Sequence, residues 1–429
     1  MLRGNTQEVE ILTLEDCLRI GIDNNLSLEG KRKEIQKSKY GVSENRSKLL
    51  PQINAIAGYN NNFDPPVSVT DGSSYGVPYN ITKTLQHSAN AGLEMQMPLF
   101  NQTLYTSMSI AKVMEEISRL SYGKAREDVI LQISKMYYLG QVTAEQIMLI
   151  KANIIRLEEL RDITQAFFDN GMSMEVDLKR VNINLENLKV QYDNAQAMMK
   201  QQLNMLKYIM DYPAEKEIAL TPVNTDSITT VALTGLSENI YELQLSQSQV
   251  QLAERQKKII TNGYIPSLSL TGSWRYAAYT DKGYHWFHSG PSNQWFRSYG
   301  VGLTLRIPIF DGLDKTYKIK KAMIDIENKR LAWEDARKNL QTQYLNAVND
   351  LMNNQRNFKK QKDNYLLAED VYAVTSDRYR EGIASMTEVL QDEMQMSEAQ
   401  NNYISAHYNY RVTNLMLLKL TGQIESLVK

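Results

Sequence analysis

The stretch YREGIASMTEVLQDEMQ, Tyr379–Gln395, interrupts a long run of helix-favouring residues with one glycine, Gly382. FFDNGMSMEVDLKRVNI, Phe167–Ile183, is interrupted in the same way at Gly171. Glycine at such a point reads as a helix C-cap, because only glycine enters the left-handed region cheaply. Gly382 follows Gly171 by 211 residues, and other landmarks keep that offset. Pro98 in QMPLFNQ and Pro308 in RIPIFDG lie 210 apart; Pro51 in KLLPQINA and Pro266 in GYIPSLSL lie 215 apart. Three landmarks in one order at nearly one spacing indicate a tandem duplication, with a first repeat over residues 1–222 and a second over 223–429.

Each repeat is expected to open with a helix, from about Leu14 to Leu50 and again from about Ser237 to Tyr264. Thr13 with Asp16 in TLED can form a capping box at the first of these. Two alternating segments around a polar loop follow in each repeat. Strands are expected at about 52–60 and 88–98, and at about 267–279 and 298–309. A long helix pair closes each repeat, with tips at 168–174 and 379–386. Gln102 to Phe168 contains no proline, and at 1.5 Å per residue would reach roughly 100 Å. No globular core needs such a rod, so its neighbours must be equally long helices.

The alternating segments have two unlike faces. In PSLSLTGSWRY, Leu268, Leu270, Trp274 and Tyr276 oppose Ser267, Ser269, Thr271, Ser273 and Arg275; in SYGVGLTLRIPIF, Tyr299, Val301, Leu303, Leu305 and Ile307 oppose Gly300, Gly302, Thr304 and Arg306. PQINAIAGYN and SANAGLEMQMP alternate similarly. Period-2 alternation marks strands with one apolar and one polar face. Soluble sandwiches alternate too. These segments, however, have the length of tilted membrane strands, about 10 residues. Their ends and loops also carry aromatic side chains suited to an interfacial girdle: Trp274, Tyr276, Trp286, Trp295, Phe296 and Tyr299. Four strands cannot close a barrel in lipid, where open edges are not tolerated, so several chains would have to share one.

The returning helices keep seven-residue seams. Val389, Met396, Tyr403, Tyr410 and Leu417 form one series; Asp392, Ala399, Ala406, Thr413 and Leu420 lie three residues on. Shifting back by 211 finds Leu178, Leu185, Tyr192, Met199 and Leu206, beside Val181, Leu188, Ala195, Gln202 and Ile209. Such spacing suits knobs-into-holes packing.

Composition narrows function by exclusion. Lys and Arg total 48 against 49 Asp and Glu, and no clustered basic face marks a nucleic-acid partner. The single cysteine, Cys17, rules out an internal disulfide framework and a cysteine-based zinc site, and reads as a small core residue. No run reaches the roughly 18 to 20 apolar residues of a membrane helix. MLRGNTQEVEILTL lacks the apolar core of a secretory leader, so either a cytosolic protein or a mature form is expected. Met172, Met174 and Met386 at the tips read as adaptable packing. The HxxH of His285 and His288 is not expected to bind metal. No nucleophile triad, Walker loop or GxGxxG is present, so neither catalysis nor a cofactor is expected.

In this order, LTLEDCL, the proline-led strands, the PLF and PIFDG turns and the duplicated FDNG and YREG tips resemble the TolC family of outer-membrane efflux and secretion channels, from Leu12 to Gly422. The resemblance implies an α+β membrane protein. Long antiparallel coiled coils would form an α-barrel joined to a transmembrane β-barrel, four strands per protomer and 12 in a homotrimer, located in the outer membrane of a Gram-negative bacterium. It implies a passive exit duct, opened like an iris and driven by an inner-membrane transporter of RND, ABC or MFS type through a periplasmic adaptor. The adaptor would dock on Asn170, Gly171, Met172 and Ser173, and on Glu381, Gly382, Ile383 and Ala384. The periplasmic gate would involve Asp177 and Glu388 with Tyr379. Ala384 stands where the family's pattern has a basic residue, leaving Arg380 as substitute; Gln391 stands where a second acid ring would sit, with Asp392 beside it. Fewer ionic links and weaker cation selection are expected to follow. A soluble coiled-coil scaffold with a small β-domain is the alternative reading.

Overall fold

A computed structural model of the chain describes residues 9–222, 235–280 and 295–428. The described residues fall into two compact units, each built from both halves of the sequence. One comprises Met1–Ile35, Ser118–Gln247 and Leu331–Lys429; the other comprises Gln36–Ile117 and Ser248–Arg330. The units therefore cut across the expected repeat boundary.

The first unit opens with β1 (Glu10–Leu12) and α1 (Leu14–Asn24). Thr13 and Asp16 form the reciprocal capping box. The expected single helix to Leu50 is two: α1 stops and α2 (Leu26–Ser47) restarts. Asn25 causes the break, since its side-chain oxygen accepts the Leu28 N–H at 3.1 Å while its amide donates to the Ile209 carbonyl at 2.7 Å. Local side-chain hydrogen bonds of this kind compete with the helix ladder.

β2 (Gln52–Asn61), β3 (Val67–Asp71), β4 (Tyr79–Lys83) and β5 (His87–Phe100) follow, and then α3 (Gln102–Asp169), α4 (Glu175–Met210) and β6 (Ile218–Leu220). Next come α5 (Tyr241–Asn262), β7 (Ser267–Thr280), β8 (Trp295–Arg306), α6 (Asp314–Arg380) and α7 (Met386–Leu420). α5 is shorter than the expected span from Ser237 to Tyr264. β8 starts and ends three residues earlier than expected.

In the second unit β2, β5, β7 and β8 form one antiparallel sheet in that order, so β2 and β8 are its edges. The register puts Asn54, Glu94, Ser273 and Arg275 on one face, with Gly300 and Gly302. Glu94 and Arg275 form an ion pair there. Leu93, Trp274, Tyr299, Val301 and Leu303 occupy the other face, where Tyr299 and Val301 are 80% and 81% exposed. The loop expected between β2 and β5 contains the β3–β4 hairpin, and β1 pairs in parallel with β6 in the other unit. Both were missed, because runs of three to five residues carry too little periodicity to read.

α3 and α6 contain 68 and 67 residues, roughly 100 Å of helix each. In the first unit Cys17, Leu18, Ile130, Ile133, Tyr137, Met210 and Leu417 form the main core. Burial pushes the Cys17 thiol up to about 12, consistent with an inert core residue. In α7 the seam of Val389, Met396, Tyr403, Tyr410 and Leu417 is buried. In α4 the other series is the more buried: Val181, Leu188, Ala195, Gln202 and Ile209 lie inside, while Leu178, Tyr192 and Met199 are half-buried. A second stripe on α6, Leu331, Leu345, Met352 and Leu366, stays exposed at multiples of seven. Ile183, Val190, Met198 and Met205 form a comparable exposed stripe on α4.

Candidate functional site: the paired helix tips

Both tips lie in the first unit, and both end a long helix in the same hydrogen-bonded turn. At the end of α3, Met172 N–H donates to the Phe167 carbonyl at 2.8 Å and Gly171 N–H to the Phe168 carbonyl at 2.9 Å. At the end of α6, Ile383 donates to Arg378 at 2.8 Å and Gly382 to Tyr379 at 2.9 Å. This is the Schellman pattern, with the residue after the cap left-handed. Gly171 has φ 73° and Gly382 φ 75°, positions where a side chain would be strained. The duplicated glycines thus reverse the chain.

Beyond the glycines the tips differ. Ser385 caps α7, its Oγ accepting the Glu388 N–H at 3.3 Å while Glu388 accepts the Ser385 N–H at 3.1 Å. This capping box was legible as SMTE in the sequence but was not anticipated. Met174 holds the equivalent place before α4 and has no cap oxygen. Asp177 pairs instead with Arg180 at 3.3 Å, and Arg180 reaches Thr387 of α7 at 3.4 Å. Ser385→Ala should cost about 1 kcal/mol of stability, measured as a lower unfolding midpoint; no change would mean that the cap contributes nothing.

Asp177, Glu388, Tyr379 and Arg380, grouped by the family resemblance, make no hydrogen bond or ion pair with one another among the described residues. Tyr379 is buried, donates to Thr164 Oγ1 at 3.2 Å and packs against the Phe167 ring at 5.6 Å. Arg380 reaches Glu159 on α3 at 3.4 Å and Asp377 at 3.3 Å. One turn away, Arg156 joins α3 to α6 through Glu369 at 3.2 Å. Gln391 is exposed and Asp392 half-buried. Neighbouring Glu393 is buried, and desolvation holds its carboxyl above the usual range, partly offset by Arg156. Glu393, Arg156 and Thr164 were missed because the contacts that matter at the tip, Arg156 with Glu369, Thr164 with Tyr379 and the Arg156 charge near Glu393, join segments more than a hundred residues apart.

Of the docking residues, Asn170, Gly171, Glu381, Gly382 and Ile383 are exposed and Met172 is 68% exposed, with Ser173 half-buried. Ala384 departs from expectation: it is buried in the tip's apolar cluster with Leu390 and Met386. In the second unit, Trp274 stands opposite Tyr299, with its ring 5.4 Å from Tyr276, and Trp295 shares their face. Phe296 departs again. It pairs with Ala277 and stands on the polar face with Arg275 and Ser298, because one step along a strand changes sides. Trp286, His285 and His288 lie outside the described residues.

A four-stranded sheet with one apolar and one polar face, linked to helices of this length with paired glycine tips, belongs to the class of outer-membrane channel proteins. The family model described as outer membrane efflux protein matches residues 20–210 and 232–423, and the chain belongs to that family. It is 21% identical over 399 residues to the outer membrane protein TolC of Vibrio cholerae, covering 89% of this chain and 84% of that one. It is 23% identical over 379 residues to a probable efflux pump outer membrane protein, TtgC, of Pseudomonas putida, covering 83% and 75%. Its fold is similar to that of CusC, a transmembrane channel, with TM-score 0.79 at 15% identity over 98% of this chain and 95% of that one. The open-state MtrE outer membrane channel of Neisseria gonorrhoeae gives TM-score 0.76 at 18% identity, over 95% and 88%. The protein is an outer-membrane efflux channel of the TolC family, whose members are channels rather than enzymes.

Proposed function

We propose that three copies assemble a closed 12-stranded barrel and a helical tunnel, forming a passive exit duct for efflux or secretion. The observation that carries this reading is the sheet itself. Its edges β2 and β8 have no partner strand among the described residues, and its apolar face is exposed. In lipid an unpaired edge costs several kcal/mol per backbone group, so the sheet must close through other copies. The apolar face then meets lipid, and the face bearing Glu94 and Arg275 lines water. The exposed stripes on α4 and α6, spaced by about two helical turns, supply the faces on which neighbouring helices pack.

An inner-membrane transporter would supply the energy through a periplasmic adaptor docked on Asn170, Gly171, Met172, Ser173, Glu381, Gly382 and Ile383. Gating would act on the residues following each glycine, Asp177 and Glu388, with Gln391 and Asp392 beyond them. The bonds of Tyr379 to Thr164 and Arg380 to Glu159 support an opening in which the α6–α7 pair swings from α3. The two repeats, 1–222 and 223–429, would provide equivalent halves of this iris.

Purified protein in planar bilayers tests the gate. Arg380→Ala removes the exposed ion pair that ties α6 to Glu159 of α3 and should favour the open state by up to about fivefold, raising mean conductance. Asp177→Ala with Tyr379→Phe should raise it too. Unchanged conductance in both would mean that these residues do not hold the gate.

A further inference from the structure

We propose that the groove between α5 and α6 in the second unit binds the headgroup of an anionic glycerophospholipid, with its acyl chains against the turn after β8. The groove is open to solvent and has a volume of about 990 Å³. Lys257 and Lys258 on α5 and Lys320 on α6 form its rim, and Met323, Ile324 and Ile326 are its apolar lining, with Met323 and Ile324 exposed and Ile326 buried. Nearby cations are neutralised: Lys315 pairs with Asp311 at 2.9 Å, Lys318 with Asp314 at 2.7 Å and Arg330 with Glu254 at 2.8 Å. Lys257, Lys258 and Lys320 have no carboxylate within 4.0 Å among the described residues, and Glu327 is the one other acid in the lining. Three such lysines against that one glutamate leave the lining net positive, which favours an anion there.

Position selects the anion. Ser267 pairs with Arg306, so β7 starts and β8 ends at one end of the sheet. α5 stops at Asn262 and α6 starts at Asp314, which puts the groove next to that end in the chain. Between β8 and α6, Ile309 is 93% and Phe310 81% exposed, with Ile307 exposed beside them. An apolar turn followed by lysines without a carboxylate partner, Lys320 lying over the Tyr317 ring at 5.7 Å, matches the two parts of a phospholipid. A free phosphate would leave the apolar part unused. The inference rests on the duct reading, which sets this end of the sheet at the inner leaflet.

The test is native mass spectrometry of the trimer in uncharged detergent with added phosphatidylglycerol, phosphatidylcholine or inorganic phosphate. Phosphatidylglycerol should be retained, one per protomer, and the other two lost. Lys257→Gln with Lys258→Gln and Lys320→Gln should weaken retention about a hundredfold, roughly fivefold for each lysine. The same change at Lys338, Lys359 and Lys360, on α6 outside the groove, should leave it unchanged. Equal retention of the two lipids, tight binding of phosphate alone, or indifference to the three rim substitutions would overturn the proposal. So would a wild-type trimer that holds no lipid but loosens when the rim is neutralised, which would assign the groove to a neighbouring copy. A monomer in the same spectrum would instead contradict the duct reading, and the lipid site with it.

Discussion

Val301→Arg combined with Leu303→Arg should abolish membrane assembly while leaving the helices folded. Both side chains project from the apolar face of β8, where they are largely exposed and touch no core of their own chain. In water the double substitution would therefore be almost neutral. In a bilayer each arginine near the middle of a lipid-facing strand costs about 2–4 kcal/mol, enough together to prevent stable insertion. Thr304→Arg alters the neighbouring residue on the polar face and should be tolerated, because a wet lumen solvates the charge. Flotation with phosphatidylcholine liposomes separates the outcomes, with circular dichroism reporting helix content. Equal flotation of the double variant and Thr304→Arg would refute the assignment of faces.

Glu127→Gln should remove a pH dependence of stability centred between pH 4.5 and 7. Glu127 is buried on α3, and desolvation, reinforced by Glu425 and Asp128, outweighs Lys419 and Lys124. Its carboxyl is thereby pushed up from 4.5 to about 7. The sign follows from proton counting. Between those values the folded chain holds the proton and the unfolded chain has released it, so stability falls as pH rises. The contribution is complete below pH 4.5 and lost above about 7, a change of about 3 kcal/mol. The glutamine variant should melt higher than wild type at pH 8 and show a flatter profile. A wild-type profile without this slope, or one that the variant keeps, would show that Glu127 is ionised at no cost.

The parts of the fold legible in the sequence were those under strong local constraint. Strand faces followed from period-2 alternation, and Gly171 and Gly382 from the rarity of left-handed backbone. Thr13 and Asp16 marked a helix start through side chains three residues apart. What could not be read depended on distant partners. Asn25 breaks the first helix partly because the Ile209 carbonyl is there to receive its amide. Tyr379 turns to Thr164, and Arg380 to Glu159, across 215 and 221 residues of sequence. Phe296 was misplaced by a single step of the strand, since an aromatic at a strand end is visible in sequence but its side is set by register. The two glycine turns themselves were therefore legible in the sequence, whereas the gate and docking roles proposed for the residues around them came from the family resemblance and the contacts there from neither.

The central claim is that this chain works as a membrane-embedded trimer, and the particle's mass in detergent tests it most directly. One chain has a mass of 49.2 kDa. The duct reading predicts a detergent-dependent particle of three times that mass, after the detergent contribution is subtracted. A monodisperse 49.2 kDa species that stays soluble without detergent would contradict it.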